Sequence, residues 1–92
     1  MKTVIFLCHG NICRSSAAEF VFKYLVKQEG RESEFHIYSR GFSNEEYGND
    51  IYPPMKRALQ RAGIPYERHF AQRITAEEYV EADYIFYMDR SN

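Results

Sequence analysis

Residues 8–15 read Cys-His-Gly-Asn-Ile-Cys-Arg-Ser, which sets the Cys8 thiol and the Arg14 guanidinium six positions apart. A thiolate is a strong nucleophile, and the planar fork of arginine grips two oxygens of a phosphate at once. Gly10 opens backbone conformations closed to other residues. Asn11 tolerates left-handed geometry while its amide bonds across a loop. Together these types describe a loop that holds an oxyanion over a sulfur. The plainer alternative is a strand-to-helix turn with two core cysteines, since an unbridged cysteine often serves as a small buried residue.

The flanking elements decide between the two. Thr3–Cys8 is an apolar run rich in β-branched and aromatic residues, which predicts a strand buried on both faces. From Ser15 the period changes: Ala17, Phe20, Val21, Tyr24, Leu25 and Gln28 recur at helical spacing. That puts Glu19, Lys23 and Lys27 largely on the other side and ends the helix near Gly30. Residues 34–40 alternate as a second strand, and 41–50 form a loop rich in Gly, Asn and acids. Pro53 and Pro54 open a second helix striped by Met55, Ala58, Leu59 and Ala62, closed by Gly63-Ile64-Pro65. Thr75 and Glu78 have capping-box spacing for a short helix through about Glu81, and 83–89 reads as another buried strand.

The order β-α-β-α-α-β predicts an α/β domain, a three-layer α/β/α arrangement around a parallel sheet. The sheet takes the flavodoxin-like order 2-1-3 if strands 2 and 3 lie on opposite sides of strand 1. The carboxyl end of strand 1 is then a topological switch point, where such sheets bind ligands. Cys8 sits there, just ahead of a helix whose dipole supplies about half a positive elementary charge. A phosphate or sulfate ion is the expected occupant, held by the loop amides and Arg14. Such a setting favours a thiolate at Cys8, with a hydroxyl hydrogen bond from Ser15. In-line attack on phosphorus would give a cysteinyl-phosphate that water hydrolyses.

Composition sets the outer bounds. Ninety-two residues make a single domain, 1–92, and the 45% hydrophobic and 16% aromatic fractions suit a folded chain. A net charge of −1 gives no global reason to expect nucleic acid or an anionic membrane as partner. The apolar run Val4–Leu7 is too short for a signal peptide or membrane span, so a cytoplasmic protein is expected. Two cysteines close only a tiny loop, which excludes a disulfide framework. Cys8, His9 and Cys13 crowd one turn without a second ligand pair, so neither a metal nor another cofactor is expected.

The segment VIFLCHGNICRSSAAEFVF resembles the N-terminal signature of the low-molecular-weight protein tyrosine phosphatases. The likeness continues through Ser39-Arg40-Gly41, residues 69–75 and residues 84–92. It implies Cys8 as nucleophile and Arg14 as transition-state clamp. His9, Gly10, Asn11, Ile12, Cys13 and Ser15 would form the substrate loop, and a phosphotyrosine protein or small aryl phosphate would be the substrate. Ile12 stands where the similar phosphoarginine phosphatases tend to carry threonine, and arsenate reductases of this fold need further cysteines that the chain lacks after Cys13. The resemblance also implies that Cys13 can bond to an oxidised Cys8.

The chain departs from that pattern in its length. Family members continue past the Met-Asp segment with another strand and an Asp-Pro pair that supplies the general acid. No Asp-Pro pair occurs here. Asp89 is expected to close strand 3, Asp83 to open it, and Asp50 could swing over only in principle. Activity is therefore expected to be impaired, or the chain to be a phosphate-binding module without turnover. Loss of a general acid costs roughly 10²–10⁴-fold. Glu45 and Glu46 stand where an aromatic wall residue is common, leaving Tyr47 as the aromatic candidate for the substrate ring. His69 and Arg73 are expected to hold structure. The domain is expected to be incomplete at its C-terminus, its last strand missing. Strand 3 is then an edge, so the chain is expected to pair with a second copy or to belong to a longer product.

Overall fold

The computed structural model describes residues 1–88. The elements are β1 (Lys2–Cys8), α1 (Arg14–Gln28), β2 (Phe35–Gly41), α2 (Pro53–Ala62), α3 (Ala76–Glu81) and β3 (Tyr84–Tyr87), with one 3-10 turn at Glu32–Glu34. β1 pairs in parallel with β2 on one side and with β3 on the other, giving the order β2-β1-β3. Val4, Ile5 and Leu7 are almost wholly enclosed, as a central strand covered on both faces requires. The expected fold class and strand order are those observed.

Alternation along β1 separates the two faces. Val4 and Phe6 pack with Ile37 of β2 and Val26 of α1, and Phe22 meets Phe6 edge to face at 5.8 Å. The opposite face carries Arg40 of β2, whose guanidinium forks onto Glu78 of α3 at 2.9–3.2 Å. Helices thus lie on both faces. α2 packs on α1 through Leu59, Ala17, Phe20 and Ile51. It ends at Gly63, whose φ of 72° is the left-handed cap that glycine adopts without strain. The Thr75 capping box on α3 is complete, with Glu78 bonding back to the Thr75 amide.

Two expectations need correction. Glu19 does not lie on an exposed face of α1. It is buried, taking a 2.6 Å hydrogen bond from Ser39 of β2 and a 2.6 Å ion pair from Lys23, while Leu25 is half-exposed. Because α1 is covered by both the sheet and α2, its buried arc is wider than one apolar stripe, and the acid is satisfied there by polar partners. β3 is not a buried strand either. Tyr84, Phe86 and Tyr87 are each about half-exposed, and β3 has no outer strand among the described residues. Asp83 does open the strand, accepting from the Thr3 amide at 2.7 Å while its own amide bonds the Thr3 carbonyl. Asp89 lies outside the described residues.

Candidate active site

Cys8 is the last residue of β1 and Arg14 the first of α1, so residues 9–13 make the whole turn between them. The turn closes on the sulfur. The Asn11 amide donates to Cys8 Sγ at 3.2 Å, and Ser15 Oγ stands 2.9 Å from the same atom. Asn11 holds a φ of 62°, a left-handed conformation that asparagine accepts more readily than most residues. Its fully buried side chain then bonds in two directions. Nδ2 donates to Ser15 Oγ at 2.9 Å, and Oδ1 accepts from the Gln72 amide at 3.1 Å. Asn11 and Ser15 therefore lie beneath the loop and brace it, rather than lining its mouth.

Three distant segments seat the loop. The Phe42 and Ser43 amides donate to the His9 carbonyl at 3.1 Å. At the other end of the loop, the Tyr52 amide, just ahead of α2, donates to the Ile12 carbonyl at 2.7 Å. The buried His69 ring bonds the Asn11 carbonyl through Nε2 at 2.5 Å. Gly41 lies so close that a Cβ there would fall 2.9 Å from the His9 carbonyl oxygen and 3.1 Å from Asn11 Cβ. Glycine is needed at that point because two backbones touch. The segment carrying His69 is clamped in turn: the Gly41 amide donates to the Gln72 carbonyl at 2.7 Å, and Gly41 bridges Arg73. His69 braces the loop through its ring, the structural role expected of it, while Arg73 joins through its backbone.

Above the loop opens a cleft of about 650 Å³, lined by Cys8, His9, Gly10, Ile12, Cys13, Arg14, Tyr52, Tyr87 and Met88. Thus the structure brings together the expected Cys8, His9, Gly10, Ile12, Cys13 and Arg14. It does not bring Tyr47. That ring is exposed, stands edge-on to Phe70 at 5.5 Å and lies outside the cleft, because Gly48 turns the chain there. The aromatic walls are Tyr52 and Tyr87, which the sequence reading missed. Tyr52 carries a faint signal in preceding a Pro-Pro helix start, whereas Tyr87 reads only as strand.

Electrostatics sort the remaining groups. Burial and the neighbouring Cys8 push the Cys13 thiol up, with Arg14 opposing them, so Cys13 favours the protonated form. Burial would also raise Asp50. Lys56 at 2.5 Å, with the His69 and Ile51 amides, outweighs it and holds the carboxyl at about 2. A carboxylate so held is an anchor and does not swing over the cleft as an acid. Burial pushes His69 down, against the Asn11 carbonyl, Glu19 and Asp50. Among the described residues, no carboxyl group lines the cleft.

A sulfur that takes the Asn11 amide and faces the Ser15 hydroxyl, with an arginine at the first turn of a helix, is the arrangement of a candidate cysteine-based anion site. Residues 3–92 match the family of low molecular weight phosphotyrosine protein phosphatases, and the chain belongs to that family. It is 43% identical over 94 residues to the human low molecular weight phosphotyrosine protein phosphatase, covering 99% of this chain and 57% of that protein. The crystal structure of YfkJ from Bacillus subtilis superposes with a TM-score of 0.93 at 34% identity, covering all of this chain and 58% of the other. A drosophila arginine phosphatase superposes with a TM-score of 0.88 at 33% identity, over all of this chain and 57% of its own. The chain thus spans under three-fifths of the length of these relatives.

Proposed function

We propose that the chain cleaves aromatic phosphate monoesters, phosphotyrosine foremost, through a phosphorylated Cys8. The observation that carries this reading is the sulfur itself, with the Asn11 amide and the Ser15 hydroxyl both directed at it beneath an open cleft. Those are the donors a thiolate accepts from. Arg14 and the amides of residues 9–13 would hold the three outer phosphate oxygens, and Tyr52 and Tyr87 would flank the substrate ring. The Cys8 thiolate attacks phosphorus, forming a P–S bond as the P–O bond to the ring breaks and the phenolate departs. Water then attacks phosphorus and loses a proton to solvent. The P–S bond breaks, releasing phosphate and regenerating the thiolate.

Ile12 favours an aromatic ester over a phosphoarginine, because it gives the cleft an apolar wall and no hydroxyl. Among the described residues no carboxyl lines the cleft, so on this reading none of them hands the departing phenolate its proton. Turnover should therefore depend steeply on leaving-group acidity. The same observation favours a second reading, in which the cleft binds phosphotyrosine without turning it over. One experiment separates the two. An activated aryl phosphate should give a burst of phenol and an isolable phosphocysteine, both abolished in Cys8→Ser. Phosphate-competitive binding with no burst would establish the binding module instead.

A further inference from the structure

The cleft floor attracts anions, but one rim does the opposite. Residues 42–49 contain Glu45 and Glu46 and no lysine or arginine. Glu45 Oε2 stands 3.3 Å from Nε2 of His9, a residue lining the cleft, and both side chains are about 70% exposed. Glu46 rests on the cradle directly: its Cγ lies 3.2 Å from where a Cβ on Gly10 would be, and its Oε1 accepts from Asn49 Nδ2 at 2.8 Å. Both acidic side chains thus stand beside the loop on one side, Glu45 through His9 and Glu46 through its methylene at Gly10. His9 offsets part of this charge only when protonated. Asp50, the other acid nearby, is already matched by Lys56 and Arg68 and adds nothing to the rim.

Among the described residues, the aromatic walls Tyr52 and Tyr87 and the thioether of Met88 line other parts of the cleft. The rim lies beside His9 and Gly10, which line the cleft, so a polypeptide leaving over them from a ring seated there would pass both carboxylates. We propose that Glu45 and Glu46 are specificity-determining residues that select phosphotyrosine flanked by lysine or arginine and disfavour acidic flanks. The inference rests on the phosphotyrosine reading given above. A like charge beside the phosphate dianion is repelled by the rim, and a cation is attracted by it while also offsetting the substrate's own charge. Exposed ion pairs are individually weak, so two carboxylates give roughly two- to thirtyfold between basic and acidic flanks at low salt. The effect should fade near 0.5 M salt, where screening acts over only about 4–5 Å.

The test uses three phosphotyrosyl peptides alike except for basic, neutral or acidic neighbours, with their unphosphorylated counterparts. Binding is followed by fluorescence anisotropy, turnover by phosphate release, and an activated aryl phosphate reports on the chemistry. Expected is the order basic, neutral, acidic in affinity and in 1/KM, lost in Glu45→Gln/Glu46→Gln and inverted in Glu45→Lys/Glu46→Lys. Equal affinities for the three phosphopeptides, or a ranking that survives charge reversal, would overturn the proposal. So would the same ranking among unphosphorylated peptides, since the rim would then act without the cradle. Aryl phosphate turnover with no peptide ranking defeats this inference and leaves the phosphatase reading standing. A phosphate-displaceable ranking without turnover does the reverse.

Discussion

β1 serves two regions of opposite character. Its carboxyl end runs into the cradle, where Asn11, Ser15, Ser16 and Ser39 are fully enclosed and no buried side-chain nitrogen or oxygen among the described residues lacks a partner. Its flank supports β3, where Tyr84, Phe86 and Tyr87 stay about half-exposed and stack loosely, Phe86 on Phe6 at 5.5 Å. The cradle is held by directional bonds, each with one geometry that satisfies it. The β3 face is held by apolar contact, which tolerates small shifts in position. A change of one atom should therefore damage the first region and barely register in the second.

The largest effect should come at Gly41. A methyl there meets the His9 carbonyl at 2.9 Å, a backbone atom with nowhere to retreat. Gly41→Ala should cost about 1–3 kcal/mol in denaturant unfolding and weaken phosphate binding at the same time. Unchanged phosphate affinity in that variant would show that the cradle yields as readily as β3.

A smaller effect should follow acidification. Asp50 ties the loop after β2 to the His69 amide and is depressed from its ordinary 3.8 to about 2. A carboxyl lowered on folding adds stability that is complete above the ordinary value and is lost as pH falls through the depressed one. The thermal midpoint should thus drop between about pH 4 and pH 2, and Asp50→Asn should flatten that part of the profile. His69, also depressed, adds an earlier decline of the same sign below the ordinary histidine range.

The smallest should be Phe86→Thr. It removes apolar surface that is already half in water, so about 1 kcal/mol of stability is at stake. Phosphate affinity should be unchanged within twofold by calorimetry. A large loss of binding in this variant would mean that β3 props the cradle and that the two regions are one.

Much of the site was legible because its parts are local. Cys8, the loop and Arg14 occupy seven consecutive residues between a strand and a helix, and both elements announce themselves by period. The parallel sheet followed from the alternation of elements, and the order β2-β1-β3 is the arrangement that puts the end of β1 at a switch point. Tyr47 was misplaced because an aromatic residue in a loop shows its type but not its direction. The Gly48 turn and Phe70 set that direction. Glu19 was misplaced because helical periodicity assumes a single buried face.

What the sequence determined by itself was the chemistry available: one thiol, one guanidinium and a turn able to bind an anion, all fixed by short-range geometry. What only the tertiary structure decided was which remote groups complete it. Gly41, His69, Gln72 and Tyr52 reach the loop across 30–61 residues of chain. Tyr87 reaches the cleft from the opposite side of the sheet. Local propensity carries no record of such meetings, because they arise when buried backbone groups from distant segments must find one another as partners.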